Sequence, residues 1–351
     1  MTFRDALVAR LRAEGPLPLA RVMALANAHY YAHAEPFGAE GDFVTAPEVS
    51  QMFGELVGAW VADLWQRAGR PAVHLVELGP GRGTLAADML RACAAAGLAP
   101  SVHFVETSER LRRLQAEAVP RARFHAELAT LPADAPLLVV ANEFLDALPL
   151  TQFARTPLGW AVRTVAAEGD ALAFRAVEPV RLAMIPDAVR DAPEGAVFER
   201  NFAAEQVAAT LARRLAVQGG AALLVDYGHT GPALGDTLQA LRRGRPAPPL
   251  EALGEGDLSA HVDFAAVAGA ASRAAPVGVH GPVSQGDFLL ALGLGARAAA
   301  LKAGKPAEVR ARIAAEAARL AGAGAMGRLF RVLALVAPGW PAPAGFPSVQ
   351  P

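Results

Sequence analysis

Nine residues, Glu77-Leu78-Gly79-Pro80-Gly81-Arg82-Gly83-Thr84-Leu85, constrain this chain more than any others. The apolar run 73–78 meets three alternating glycines and gives way at once to an Ala- and Leu-rich helical pattern. Such a juncture reads as a strand, a tight turn and a helix. Glycine at every second position permits φ > 0 and lets a ligand approach without a Cβ in the way. A P-loop needs Lys-Ser/Thr after its last glycine, and none follows. A dinucleotide fingerprint needs its third glycine at position 84, which is Thr84. A plain strand-to-helix connector remains open on the turn alone.

What is left is E-x-G-x-G-x-G, which resembles the first S-adenosylmethionine (SAM) motif of class I methyltransferases. That resemblance implies that Glu77 reaches the methionine ammonium and that Gly79, Gly81 and Gly83 pass beneath the ligand. The neighbouring stretches fit. The run 102–105 ends in Glu106, about 20 residues beyond the last glycine, from where an acid accepts both ribose hydroxyls. The rival reading is a Glu that caps the next helix at Thr107 or Ser108. Residues 123–127 form a short third strand whose Glu127 is placed to receive the adenine amino group. Ahead of the turn, Thr45-Ala46-Pro47-Glu48 has the form of a capping box. Val49, Phe53, Leu56, Trp60 and Leu64 then recur on one helical face. In this class a helix before the first strand roofs the cofactor, which makes Asp42 and Thr45 cofactor candidates.

The continuous apolar run 137–141 has the pattern of a parallel strand buried on both faces. It ends in Asn142-Glu143-Phe144-Leu145-Asp146, and ligands in open parallel sheets bind at the carboxyl ends of strands. Asn142 is assigned to the cofactor, Glu143 and Asp146 to catalysis on the substrate; the bland alternative is a helix cap with solvated acids.

Further along, 160–165 and 171–177 pair around Glu168-Gly169-Asp170, an inserted β-rich piece. A helix over 203–217 leads to a fifth strand, 221–225. Residues 235–263 read mostly as loop; His261 with Asp257 and Asp263 matches no strong metal pattern, and no metal is expected. Helices over 264–274, 286–301 and 306–323 and a strand over 327–336 complete the pattern. The fold expected is α/β, a Rossmann-like seven-stranded, mostly parallel sheet with helices on both faces. Its parts are an N-terminal helical segment (1–70), a core (71–150 and 203–337), an insert (151–202) and a Pro-rich tail (338–351).

Composition narrows the function. Of 351 residues, 53% are hydrophobic and 19% charged, a globular balance. The net charge of -1 offers no basic field for nucleic acid. A single cysteine, Cys93, rules out an intrachain disulfide and fits a reducing compartment. Residues 1–14 lack the apolar core of a signal peptide, and five prolines interrupt the uncharged stretch 332–351. A cytoplasmic protein without membrane insertion is expected.

Taken together, the blocks GDFVTAPE (41–48), ELGPGRGTL (77–85), NEFLDALP (142–149), LVDYG (224–228), GDTLQALRR (235–243), DLSAHVDF (257–264) and MGRLF (326–330) resemble the MidA family of SAM-dependent methyltransferases. This family includes a mitochondrial complex I assembly factor with arginine methyltransferase activity. The resemblance implies SAM as cofactor and symmetric dimethylation of an arginine on a respiratory complex I subunit, with Glu143 and Asp146 holding the guanidinium. Two departures, after Trp160 and at Gly244, lie outside the cofactor turn and touch only substrate details. Alternatives are a small-molecule N-methyltransferase and a largely non-catalytic SAM-binding assembly factor.

Overall fold

Strands buried on both faces are mostly apolar, and two such strands, the unbroken run 137–141 and His74–Leu78 with its buried His74 and Glu77, lie side by side at the centre of this structure, a computed structural model that describes residues 2–33 and 45–347. The principal sheet contains β1 (His74–Leu78), β2 (Ser101–Val105), β3 (Arg123–His125), β4 (Leu137–Asn142), β5 (Gly220–His229), β6 (Gly278–Ser284) and β7 (Phe330–Val336). Their order is β6-β7-β5-β4-β1-β2-β3. All pairings from β5 to β3 are parallel, whereas β7 runs antiparallel to both β5 and β6. The expected mostly parallel arrangement is therefore present, with these seven strands in a sheet that counts eight. The chain builds outward from β1 to β3, then returns to lay β4 on the other side of β1. That reversal opens a crevice at the carboxyl ends of β1 and β4, where ligands bind in sheets of this kind.

The chain divides into two compact units, one of residues 44–144, 207–228 and 267–351, the other of 1–43, 145–206 and 229–266. The 1–70 stretch is thus split after residue 43. In the first unit, helices α1 (Gln51–Arg67), α2 (Thr84–Ala95), α3 (Glu109–Ala118) and α4 (Phe202–Gln218) accompany the sheet. Leu75, Leu138, Val140 and Leu223 share a core with Phe53, Trp60 and Met89 from α1 and α2. The intervening Val76, Val139 and Leu224 are also fully buried, so the second face is covered too. α1 crosses α2 closely because Gly58 carries no side chain; a Cβ there would stand 2.7 Å from the Met89 main chain. The Pro-rich tail packs on this unit: Trp60 Nε1 donates to the Ala344 carbonyl, and Phe346 lies against Phe288.

Several local expectations are corrected. There is no capping box at Thr45, whose side chain makes no cap hydrogen bond. Residues 46–49 form one helical turn, the chain extends at Ser50, and Ser50 caps α1 through Met52 N–H. The Glu48 carboxylate is engaged elsewhere, accepting from Thr84 Oγ1 at 2.7 Å. The helix expected over 286–301 is broken at Gly293, where φ is +96°. Residues 278–284, assigned no structure, are β6.

In the second unit, a sheet runs in the order Leu17–Pro18, Gly159–Glu168, Thr151–Thr156, Val197–Arg200, with Ala171–Pro179 also paired to Gly159–Glu168. The hairpin around Gly169 is as expected. The supposed loop 235–263 instead holds three paired strands, Gln239–Arg242, Arg245–Ala247 and Asp257–Ser259. The turn between the first two is Arg243-Gly244, both at positive φ, the geometry of the tight hairpin turn that twists with its strands. Among the described residues no helix is long and apolar enough to cross a membrane.

Candidate active site

β1 delivers Glu77 to the crevice almost fully buried, at 3% exposure. Burial pushes its carboxyl up to about 8, against a smaller opposing effect from the Ala86 N–H. Its Oε2 has no hydrogen-bond partner among the described residues. An orphaned, buried carboxylate oxygen is costly unless a donor or cation meets it. The methionine ammonium of SAM is such a group, so the residue present fits the role the motif implied.

The turn after β1 holds Gly79, Gly81 and Gly83 at φ of +61°, +55° and +83°. Gly79 N–H donates to Val105 O at 3.0 Å and Gly83 N–H to Pro80 O at 2.7 Å. Gly79 is required by a neighbour in the fold: a Cβ there would stand 2.8 Å from Phe144 Cδ2. Phe144, which follows the end of β4, was not singled out in the sequence.

Glu106 follows β2 directly. Its Oε1 accepts the Ser108 N–H at 2.8 Å and its Oε2 accepts from Gln115 Nε2 at 3.1 Å. Burial raises its pKa, opposed by the Ser108 N–H and by Gln115. The cap of α3 is Ser108 itself, through Leu111 N–H. The Thr107 N–H is a third donor to it, and of its roughly four acceptor positions Glu106 retains capacity for a hydroxyl donor of a ribose diol. Gln115 is fully buried and its Nε2 also donates to Gly81 O at 2.8 Å, tying the glycine turn to the ribose acid. Sequence reading missed it. The available signal was a polar residue on the buried face of α3, four places after Leu111.

At the end of β4, Asn142 is 8% exposed and donates from Nδ2 to Glu143 Oε1 at 3.2 Å. Its Oδ1, like Gln115 Oε1, has no partner among the described residues. Glu143 sits at φ +51°, an uncommon conformation for a non-glycine residue. Its N–H donates to Val225 O at 2.9 Å, and its Oε1 accepts the Ala46 N–H at 3.0 Å. This bond brings the segment at Thr45 to the end of β4. Glu127 lies on an exposed turn two residues past β3. Asp42 falls outside the described residues.

Asp146 belongs to the other unit and is 7% exposed. Its carbonyl accepts the Ala260 N–H at 3.1 Å. The same unit holds Tyr31, whose hydroxyl donates to Asp257 Oδ1 at 2.5 Å. Burial raises the phenol pKa well above its usual value, and Asp257 and then Asp146 raise it further. Asp257, expected on a loop, is a buried strand residue. Asn27 fixes this cluster, donating to Ala147 O at 3.0 Å and Leu258 O at 2.8 Å.

Comparison with known proteins shows the family and its cofactor. A family profile of S-adenosyl-L-methionine-dependent methyltransferases matches residues 56–283. The mouse mitochondrial protein arginine methyltransferase NDUFAF7 is 36% identical over 345 residues, covering 86% of this chain and 76% of its own. The Drosophila melanogaster homolog is 36% identical over 324 residues, covering 81% and 73%. A crystal structure of a superfamily member from Burkholderia thailandensis, bound to S-adenosyl-homocysteine, superposes with a TM-score of 0.83 at 28% identity, covering 97% of this chain and 93% of that one. The glycine turn with its buried acid, the acid after β2 and these matches make the chain a member of the S-adenosyl-L-methionine-dependent methyltransferase family to which the NDUFAF7 proteins belong.

Proposed function

We propose that this methyltransferase acts on an arginine side chain of a protein, forming symmetric dimethylarginine, with a respiratory complex I subunit as substrate. The observation that carries the reading is that relatives spanning most of the chain are named protein arginine methyltransferases. The acid-rich stretch after β4 supports it chemically.

SAM, when bound, supplies an electrophilic methyl group on a cationic sulfonium. A guanidinium is a cation too, and gathering both away from water is unfavourable unless anions stand beside them. Glu143 and Asp146 are the proposed anions. Their carboxylates accept guanidinium N–H bonds, which are charge-assisted and directional, and so orient one nitrogen for transfer. That nitrogen gains the methyl and gives up one proton, which passes to a carboxylate or to water. Glu77 and Glu106 hold the two ends of the cofactor, and Gln115 keeps the turn and Glu106 in register.

The test is incubation of the protein with SAM carrying a trideuterated methyl, in lysate containing complex I subunits, followed by peptide mass spectrometry. The expected product is one arginine with a labelled methyl on each terminal nitrogen. Label confined to small molecules, or to other side chains, overturns the reading.

A further inference from the structure

Three histidines on three adjacent strands form an unbroken hydrogen-bonded line that the methyl-transfer site does not use. His74 opens β1, His103 is in the middle of β2 and His125 closes β3. Val76 pairs with His103 and Val105 with His125, so each step moves two residues and all three rings share one face. His74 Nε2 lies 2.9 Å from Asp134 Oδ1 and His74 Nδ1 lies 3.1 Å from His103 Nε2. His103 Nδ1 lies 3.0 Å from His125 Nε2, and His125 Nδ1 lies 3.1 Å from Thr130 Oγ1. Thr130 Oγ1 in turn lies 2.9 Å from Glu127 O.

Counting hydrogens shows what this line does. It has five junctions, from Asp134 to Glu127. Asp134 carboxylate and Glu127 carbonyl only accept, so every hydrogen comes from between them. Three neutral imidazoles and one hydroxyl supply one hydrogen each and leave one junction empty. In the neutral line, with His74 donating from Nε2 to the Asp134 carboxylate, every ring carries its hydrogen on Nε2 and the Thr130 hydroxyl donates to His125, leaving Glu127 O with the Thr130 backbone N–H alone. One added proton fills all five junctions. Then His125 donates from Nδ1 to Thr130, and the hydroxyl turns to Glu127.

The surroundings decide where the charge rests. His103 is 1% exposed, and its pKa is lowered to about 4 by burial, then by His74, His125 and Arg123. His125 is lowered by burial, with Arg112 of α3, Arg214 of α4 and Arg123 of β3 adding to it against the bond to Thr130. Asp134, from the loop before β4, stands 2.9 Å from His74 Nε2, and His74 lowers its pKa. The Asp134 carboxylate, in contact with His74 Nε2, gives a positive charge its ion-pair partner at the His74 end of the line.

We propose that these rings and Thr130 form a single-proton binding site: a proton taken up at His74 reverses the tautomers of His103 and His125 and commits the Thr130 hydroxyl to Glu127, adding a second bond across the turn after β3 that the Thr130 N–H already closes. The signal crosses the sheet while the charge stays near the surface. The turn it reaches adjoins the cofactor acid, since the Glu106 N–H donates to His125 O at 2.9 Å.

The test uses full-length protein with ¹⁵N-labelled histidine and long-range proton–nitrogen spectra between about pH 5 and 8. The expected result is one shared midpoint, with His103 and His125 changing from the Nε2–H to the Nδ1–H tautomer below it while only His74 becomes an imidazolium. The Asp134 side chain is 80% exposed, so Asp134→Asn leaves the fold intact. It should lower the midpoint by roughly half to one pH unit. Separate midpoints, fixed tautomers of His103 and His125, or an unmoved midpoint in Asp134→Asn would each overturn the proposal.

Discussion

Gln115 donates through one amide nitrogen to Oε2 of Glu106 at 3.1 Å, and the same nitrogen reaches the carbonyl of Gly81 at 2.8 Å. The acid assigned to the ribose and the turn assigned to the methionine part are thus held by one side chain. Gln115→Leu keeps the size but leaves two buried acceptors without their donor. An unmade buried hydrogen bond costs about 1–3 kcal/mol, so S-adenosylhomocysteine affinity should fall roughly 5- to 150-fold by titration calorimetry. Unchanged affinity would show that the brace does not position the cofactor groups.

Glu77 gives a pH signature. Its folded pKa, about 8, lies above its ordinary value of 4.5, so the native state holds the proton more tightly than the unfolded chain. The stabilisation is complete below 4.5 and is lost as pH rises toward 8. In the ligand-free protein, Glu77→Gln should flatten that part of the stability profile measured by denaturant titration. A cationic ammonium favours the carboxylate, so ligand binding near neutral pH should release close to one proton, read from calorimetry in buffers of different ionisation enthalpy. The release should vanish in Glu77→Gln; its persistence would move the ammonium site elsewhere.

The glycine at 79 answers to Phe144. Gly79→Ala adds a Cβ 2.8 Å from the ring in a residue at φ +61°. Overpacking costs typically about 1–3 kcal/mol, and the left-handed backbone adds about 1–2 kcal/mol. In a Phe144→Ala background only the backbone part should remain. A double-mutant cycle showing simple additivity would exclude the clash.

Glu143→Gln tests the proposed guanidinium clamp. The amide still offers Ala46 an acceptor oxygen, so the local fold should hold while the charge is gone. Losing a charge-assisted partner costs about 2–4 kcal/mol, which predicts methyl transfer slower by roughly 30- to 1000-fold with little change in cofactor affinity. Wild-type turnover on an identified arginine substrate would remove Glu143 from that role. Asp146→Asn, assayed in parallel, tests the second acid.

The parts of this architecture legible in the sequence are those where one physical cause dominates. The run 137–141 is apolar, and 73–78 is so but for His74 and Glu77, because both faces of their strands are covered, and the alternating glycines mark a backbone at positive φ. What escaped reading depends on partners distant in the chain. The capping box at Thr45 fails because Glu48 is bound to Thr84, and the hairpin at Arg243-Gly244 was hidden by prolines that suggested loop. Helical spacing from Leu111 marks Gln115 as buried but not what it binds, and the partners in the histidine line are hidden in the same way, since polar side chains in a buried layer are explained only by one another.

Asn27 closes a bond with Leu258, 231 residues further along the chain, in both directions: its amide nitrogen donates to the Leu258 carbonyl and its oxygen accepts the Leu258 N–H. The helix Leu19–His33 therefore emerges from the ribosome long before the strand it completes. At about 5–20 residues per second, that gap lasts roughly 10 to 50 s. Throughout that interval Val22, Met23 and Ala26, buried in the finished unit, face water in the nascent chain. The helix Leu19–His33 is made well before the strand that gives it its place, and its exposed apolar face is where a holding chaperone would engage during synthesis.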